Sequence, residues 1–257
     1  MSRLKTYTRR AFILTSTAVA GGFALGYWAY KRTPDNPLAE NLEEGEITLS
    51  PYLLFTNEGL AIVAPRAELG QGVHSALAAL VAEELEVSLE QIKVIHGPIS
   101  EAYWNGAALN ELFPLPSTEK SWKKDVAEST GHFIAKVLGM QATGGSSSIP
   151  DSYDKMRRAG AAGREMLLMA AASIWQVDGA KLSVEKGVVF GPDGQQATYQ
   201  ELASKAAEFD PPKDPPLKPK SDFKLIGKPM RRVDMVPKCT GTARFGIDLD
   251  FPNMVYA

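Results

Sequence analysis

The chain has 257 residues, of which 44% are apolar and 23% charged, with a formal charge of −2 at pH 7. That composition excludes intrinsic disorder as the main state, and the charge balance excludes a global basic field for nucleic acid. The single cysteine, Cys239, excludes an internal disulfide framework, a paired-cysteine zinc site and an iron–sulfur cluster held by this chain alone. The length suits one to two domains with a real core.

The first 32 residues carry six basic groups (Arg3, Lys5, Arg9, Arg10, Lys31, Arg32) and no acid, so the remainder is distinctly acidic. Ala11 to Tyr30 is a run of 20 residues without a charge. The junction Thr8-Arg9-Arg10-Ala11-Phe12-Ile13-Leu14 resembles the bacterial twin-arginine export signal, which moves folded proteins, often with a cofactor installed. As a helix the run would reach ~30 Å, the thickness of the hydrocarbon layer. It ends on bulky Tyr27, Trp28 and Tyr30, which suit an interfacial aromatic belt and not a cleavage site. The expectation is a periplasmic protein held to the inner membrane by an uncleaved segment, residues 1–32.

Residues 33–50 are polar with two prolines and read as a tether. Tyr52 to Thr56 and Leu60 to Ala64, split by Asn57-Glu58-Gly59, predict a hairpin. Leu77, Leu80, Val81 and Leu85 recur at helical spacing and predict a helix over Ser75 to Glu86, with Glu83, Glu84 and Glu86 as a solvated face. Gln91 to His96 reads as a strand, Tyr103 to Trp122 as irregular, and Lys123 to Met140 as a helix. A long helix is expected from Asp151, an N-cap candidate, to about Trp175. Its small stretch Ala159-Gly160-Ala161-Ala162-Gly163 marks tight packing. Leu182 to Glu185 and Val188 to Phe190 predict a second hairpin, and Thr198 with Glu201 a capping box for a short helix. Five prolines in residues 210–219 predict a stiff linker. A further domain starts at about Ser221, with Cys239 in a strand-like stretch as a small hydrophobe.

Two segments have the chemistry of a ligand cradle. Gly70-Gln71-Gly72 precedes a helix, where bare backbone and helix N-terminal N–H groups favour a phosphate or pyrophosphate. Thr143-Gly144-Gly145-Ser146-Ser147-Ser148 likewise offers hydroxyl and N–H donors ahead of a helix. Each is also compatible with a plain turn or surface loop. No P-loop lysine follows either one, so an ATP site is not expected. His74, His96 and His132 lack metal-ligand spacing and read as structural, although His74 lies beside the first cradle.

Several motifs resemble the molybdopterin-binding large subunits of the xanthine dehydrogenase and aldehyde oxidase family. Pro65 to His74 with Val81-Ala82-Glu83-Glu84-Leu85 is similar to a pterin-contacting segment; Thr143 to Ser148, Asp151-Ser152-Tyr153 and Ala159 to Ala162 to the next such loop and its helix. Ile226-Gly227-Lys228-Pro229, Arg232-Val233-Asp234, Lys238, Thr240-Gly241, Ala243-Arg244-Phe245 and Pro252 to Ala257 are similar to the opening of the family's hammerhead domain. That domain follows the Gly-Gln-Gly segment here, an order typical of the exported branch, the isoquinoline 1-oxidoreductase beta and membrane-bound aldehyde dehydrogenase kind.

The resemblance implies an α+β fold. A molybdopterin-binding subdomain of mixed helices and short hairpins (51–209) would be joined by a linker (210–221) to the beginning of a hammerhead α/β domain (222–257). It implies molybdopterin cytosine dinucleotide as cofactor, with Gly70, Gln71 and Gly72 at the pterin or its phosphates and Thr143, Gly144, Gly145, Ser146, Ser147 and Ser148 along the dinucleotide. It implies as partners a small [2Fe-2S] subunit that carries the iron–sulfur clusters and the remainder of the large subunit, with a cytochrome c as candidate acceptor, but no nucleic acid. The family's catalytic glutamate falls outside these residues, so no catalytic or metal-ligating residue is assigned and no turnover is expected from this chain alone. A truncated non-catalytic remnant and an anchored extracytoplasmic anion-binding module remain open alternatives.

Overall fold

A computed structural model describes residues 15, 16, 21, 22, 24–113, 118 and 120–255. The chain divides into two compact units, Met1–Asn41 with Pro98–Ser152 and Leu42–Gly97 with Tyr153–Ala257.

The second unit is built on a four-stranded sheet in the order β1 (Ile47–Ser50), β2 (Leu53–Thr56), β3 (Gly59–Ala64), β4 (Ile92–His96). The β2–β3 hairpin closes on the pair Thr56↔Gly59. The Thr56 hydroxyl accepts the Glu58 N–H at 3.1 Å and donates to the Gly59 carbonyl at 3.0 Å, and Gly59 takes φ +120, which only glycine adopts freely. Strands β3 and β4 are parallel, with Ala64 opposite His96, and the crossover between them carries helix α1 (Val73–Leu85). A parallel pair needs such a crossover, which brings the start of α1 to the carboxyl ends of both strands. β1, in the stretch expected to be a tether, pairs with β2.

Helix α1 is buried on nearly every face. Leu77, Val81 and Leu85 enter the core with Leu53, Phe55 and Ile62 of the sheet and Met156 and Leu167 of a long helix. That helix, α3 (Ser148–Trp175), has its opening residues grouped with the first unit and the rest with the second. At Gly160 a Cβ would stand 2.7 Å from the Val81 carbonyl and 3.2 Å from Val81 Cα. The small stretch read from sequence is where two helix backbones approach. A three-stranded sheet, β5 (Ser183–Glu185), β6 (Val188–Phe190) and β7 (Gln196–Thr198), precedes α4 (Tyr199–Ala206), whose N-terminus has the expected Thr198–Glu201 capping box.

Glu83 and Glu84 correct the expectation of a solvated face: they are 1% and 0% exposed. Glu84 pairs with Arg157 at 2.6 Å and Arg164 at 3.5 Å, both from α3. Glu83 pairs with Lys218 at 2.6 Å and accepts the backbone N–H groups of Lys224, Leu225 and Ile226. The proline-rich stretch is held against α3 as well, Arg158 reaching Asp214 and the Lys213 carbonyl, Arg164 the Pro216 carbonyl and Arg157 the Lys218 carbonyl. Residues 222–255 are grouped with the same unit. Cys239 is exposed and lies in a short helix, α5 (Met235–Thr240), not in a strand.

The first unit holds α2 (Trp122–Val137), N-capped by Ser121, and two short 3-10 turns, Glu101–Tyr103 and Gly106–Leu112. Gly131 lets α2 lie against Leu109 of the second turn and Phe113 just after it. Residues 24–31 are helical; Tyr30 stacks at 5.4 Å on Phe133, and Arg32 pairs with Glu101 at 3.1 Å. Among the described residues no helix is long and apolar enough to cross a membrane. The twin-arginine junction and nine of the twenty residues of the uncharged run lie outside the described residues.

Candidate functional site

The Gly-Gln-Gly loop belongs to the second unit, at the carboxyl end of β3. Gly70 and Gly72 take φ +101 and +87, and Gly72 is the N-cap of α1. The curvature aims the backbone N–H groups of Gly70, Gly72 and His74 at one point, as an anion nest requires. The anion is internal. The Glu68 carboxylate accepts all three N–H groups, at 2.8, 2.9 and 3.1 Å. Burial pushes the Glu68 carboxyl up, but these donors and the nearby Arg232 guanidinium outweigh it and hold its pKa below the ordinary glutamate range. Gln71 folds back as well: its Oε1 accepts the Leu69 N–H at 2.6 Å and its Nε2 donates to the Ala67 carbonyl at 2.9 Å.

Arg232 locks this loop, donating to the Gly70 carbonyl at 2.6 Å and to Glu68 at 3.2 Å. Asp234 grips the same guanidinium through two bonds of 2.8 Å, and Arg232 with Lys238 holds Asp234 far below the ordinary carboxylate range. Val233 N–H donates to the Ser75 hydroxyl of α1 at 3.0 Å. Sequence reasoning places Arg232-Val233-Asp234 in a separate domain and misses this role, because the partners are more than 150 positions apart. Beside Gly70 and Gly72 a Cβ would meet no atom within 4 Å, so the loop backbone is open on one side. A guest there would meet that open backbone, with the three N–H groups already bonded.

Thr143 to Ser148 belongs to the first unit. Gly145 and Ser146 both take positive φ, +56 and +53, and together with Gly144 are exposed. Ser147 is buried: its hydroxyl donates to the Gly144 carbonyl at 2.6 Å and accepts from Asn105 Nδ2 at 2.8 Å. Asn105, fully buried, also donates to the Ala142 carbonyl at 2.9 Å and accepts the Ala108 N–H at 3.1 Å. Helix α3 starts at Ser148; Asp151 is in its first turn and not at its N-cap, and its carboxylate accepts the Gly106 N–H at 2.7 Å.

This network frames a cavity of about 580 Å³ in the first unit. Gly145, Ser146, Ser147 and Pro150 form one wall; Lys124 and Glu128 of α2, with Ala107, Asn110 and Phe113, form the rest. Lys124 and Glu128 are 3.8 Å apart. Asn110 Oδ1 is buried without a hydrogen-bond partner. A volume of this size suits a small organic ligand. The start of a 28-residue helix and Lys124 favour an anionic group, and Asn110 Oδ1 calls for an N–H donor. A phosphorylated, nitrogen-bearing heterocycle such as a pterin nucleotide has both, so the residues of this cavity fit the group that the family resemblance implies. Lys124, Glu128 and Asn110 carry no signal in the sequence, since only folding puts α2 beside the loop.

The structure also brings His74 and His96 together in the second unit, with ring centroids 5.8 Å apart. His132 is in the first unit, edge-on to Trp104 at 6.0 Å. Among the described residues no group of three or more His, Cys, Asp or Glu side chains is arranged to hold a metal ion.

No protein-family model matches the chain. It is 30% identical over 230 residues, 76% of its length, to the beta chain of the isoquinoline 1-oxidoreductase of Brevundimonas diminuta. It is 26% identical over 229 residues to a nicotinate dehydrogenase subunit of Pseudomonas putida, and 28% identical over 259 aligned positions to the membrane-bound aldehyde dehydrogenase [pyrroloquinoline-quinone] of Gluconacetobacter polyoxogenes, covering 87% and 97% of this chain. It spans only 26%, 16% and 28% of these relatives' own lengths. All three carry the names of oxidoreductases, and the similarity runs through most of this chain. The chain resembles the large subunits of the xanthine dehydrogenase and aldehyde oxidase family, of the isoquinoline 1-oxidoreductase beta kind, over most of its own length and over 16% to 28% of theirs.

Proposed function

We propose that this chain is part of the large subunit of a molybdenum-dependent hydroxylase that oxidises an aldehyde or an N-heterocycle. The observation that carries the reading is the extent of the similarity, which covers 76% to 97% of the chain in three oxidoreductases. The cavity of the first unit supports it, with Lys124 and the α3 N-terminus for a phosphate and Asn110 Oδ1 for an N–H of the bound heterocycle. When bound, a molybdopterin cytosine dinucleotide supplies two-electron oxidation with water as the oxygen source. The chain's own residues would bind and orient it: Gly145 and Ser146 of the cavity wall would hold the ligand, while Asn105 and Asp151 fix the loop that carries them. Gly70, Gln71 and Gly72 present an open backbone whose shape Glu68 and Arg232 set.

A small [2Fe-2S] subunit, the remainder of the large subunit and a cytochrome c are the proposed partners, and the periplasmic face of the inner membrane the proposed location. The chain by itself is proposed to be inactive.

The test is to produce the chain with the small subunit, the rest of the large subunit and the maturation machinery, then to analyse the purified complex. The expected result is bound molybdenum and release of a cytidine nucleotide on acid hydrolysis, both reduced by Lys124→Ala. Pyrroloquinoline quinone in place of molybdenum, the cofactor in one relative's name, would overturn the reading, as would neither cofactor. Molybdenum-dependent oxidation by the isolated chain would overturn the claim of inactivity. For the location, N-terminal sequencing of exported protein should return an uncleaved segment; a start beyond Arg32 removes the anchor.

A further inference from the structure

Chain topology makes a pair out of two histidines that sequence spacing keeps apart. His96 is the last residue of β4, and His74 is the second residue of α1. Because β3 and β4 are parallel and α1 is their crossover, the start of α1 and the carboxyl end of β4 fall at the same end of the sheet.

Both rings are tied to the main chain. His74 Nε2 lies 2.9 Å from the Arg66 carbonyl, and His96 Nδ1 lies 2.8 Å from the Gly97 carbonyl. A carbonyl only accepts, so each of these nitrogens is the donor. In the neutral ring the other nitrogen then has a lone pair: Nδ1 in His74 and Nε2 in His96. An imidazole with one N–H fixed by a carbonyl and a lone pair on its other nitrogen is the arrangement of metal-ligating histidines.

The spacing agrees. Two imidazoles on one ion, with metal–nitrogen bonds of ~2.0–2.1 Å, place their centroids roughly 5–6 Å apart for tetrahedral or somewhat wider angles. Here the separation is 5.8 Å with the planes tilted by 51°.

We propose that His74 and His96 form a two-imidazole site for a borderline divalent transition-metal ion, Zn²⁺ first, with solvent or a ligand in the remaining positions. Imidazole nitrogens select Zn²⁺, Ni²⁺ and Cu²⁺ over Mg²⁺ and Ca²⁺, which prefer oxygen. With two protein ligands the site is open and its metal exchangeable.

The experiment titrates Zn²⁺ into the full 257-residue chain, purified in detergent without molybdenum, by calorimetry and by histidine ring ¹⁵N NMR at neutral pH. One equivalent should bind, shifting His74 Nδ1 and His96 Nε2 and leaving His132 unmoved. His96→Ala and His74→Ala should each weaken binding at least tenfold, and Mg²⁺ should not compete. His96 is exposed at a strand end, so His96→Ala tests the site even if His74→Ala fails to fold. Zn²⁺ binding that survives both substitutions, or no binding by the parent chain, overturns the proposal. The site needs no pterin, so its failure leaves the proposed function untouched, and the converse holds.

Discussion

Glu83 Oε2 accepts the backbone N–H of Leu225 at 2.6 Å, joining the last turn of helix α1 to a segment 142 positions later. The same carboxylate takes the N–H groups of Lys224 and Ile226 and the ammonium of Lys218, so one buried group organises the whole return of the chain after the prolines. Its removal leaves Lys218, 9% exposed, to Glu86 alone and takes the acceptor from the Leu225 and Ile226 N–H groups and from that of Lys224. Glu83→Ala should destabilise the second unit by about 3–5 kcal/mol, the usual effect of breaking a buried ion pair from one side. Urea unfolding followed by tryptophan fluorescence checks it; a loss below about 1 kcal/mol would show that the segment docks without the carboxylate.

The same cluster sets the response to pH. Burial pushes the Glu83 carboxyl up, but Lys218 and the backbone donors hold its pKa below the ordinary range; Glu86 is held low in the same way by Lys224 and Lys218. A depressed folded-state pKa gives stability that is present above the unfolded value, about 4.3, and is lost as pH falls through the lower folded value. Lys218 has the opposite sign. Burial pushes it down, Glu83 and Glu86 outweigh that, and its raised pKa gives stability that persists below about 10.4 and is lost at higher pH. Melting temperature should fall steeply on acidification below about pH 4, and the gap between parent and Glu83→Gln should narrow there. A constant gap across that range would refute the assignment.

Much of the local architecture is legible in the sequence because it rests on neighbouring residues. The Asn57-Glu58-Gly59 hairpin, the Thr198–Glu201 capping box and the spacing of Leu77, Leu80, Val81 and Leu85 each encode their element within a few positions. Glu83 and Glu84 mislead for the converse reason. A charge run on a helix is ordinarily solvated, and the arginines and backbone donors that bury it come from α3 and from residues 218–226. The first cradle reads as an anion site; the same glycines do form a nest, but its anion, Glu68, stands two residues before Gly70 in the chain. The three bonds from the loop show that the carboxylate turns inward, and Arg232, 164 positions later, holds it there.

Gly160→Ala should cost about 1–3 kcal/mol, since a methyl there meets the backbone of Val81 and neither helix can shift without disturbing the core. Gly144→Ala, where a Cβ finds nothing within 4 Å and φ is not positive, should be nearly neutral. Thermal melts of the two variants distinguish helix contact from a general intolerance of glycine loss; equal effects would contradict the close approach.

Glu68→Ala would leave the N–H groups of Gly70, Gly72 and His74 without their acceptor. Loss of an acceptor at a helix N-terminus costs ~0.5–2 kcal/mol, so the variant should lose that much stability and melt at a lower temperature. Inorganic phosphate should partly restore its melting temperature while leaving the parent unchanged, because the emptied nest accepts an external anion. Equal responses to phosphate would show that the nest does not reopen.

In the first unit, Asn105→Ala would strip three hydrogen bonds from Ser147, Ala142 and Ala108 in a buried setting. Stability should drop by about 1–3 kcal/mol, and hydrogen exchange should quicken at residues 142–147 before anywhere else in the unit. Unchanged exchange there would place the stability of the loop elsewhere.

The carboxylate of Glu68 works as a casting core inside the Gly-Gln-Gly bend. A bend moulded from within keeps its shape when nothing lies against it, so a visitor finds a finished surface and has no floppy chain to tame on arrival.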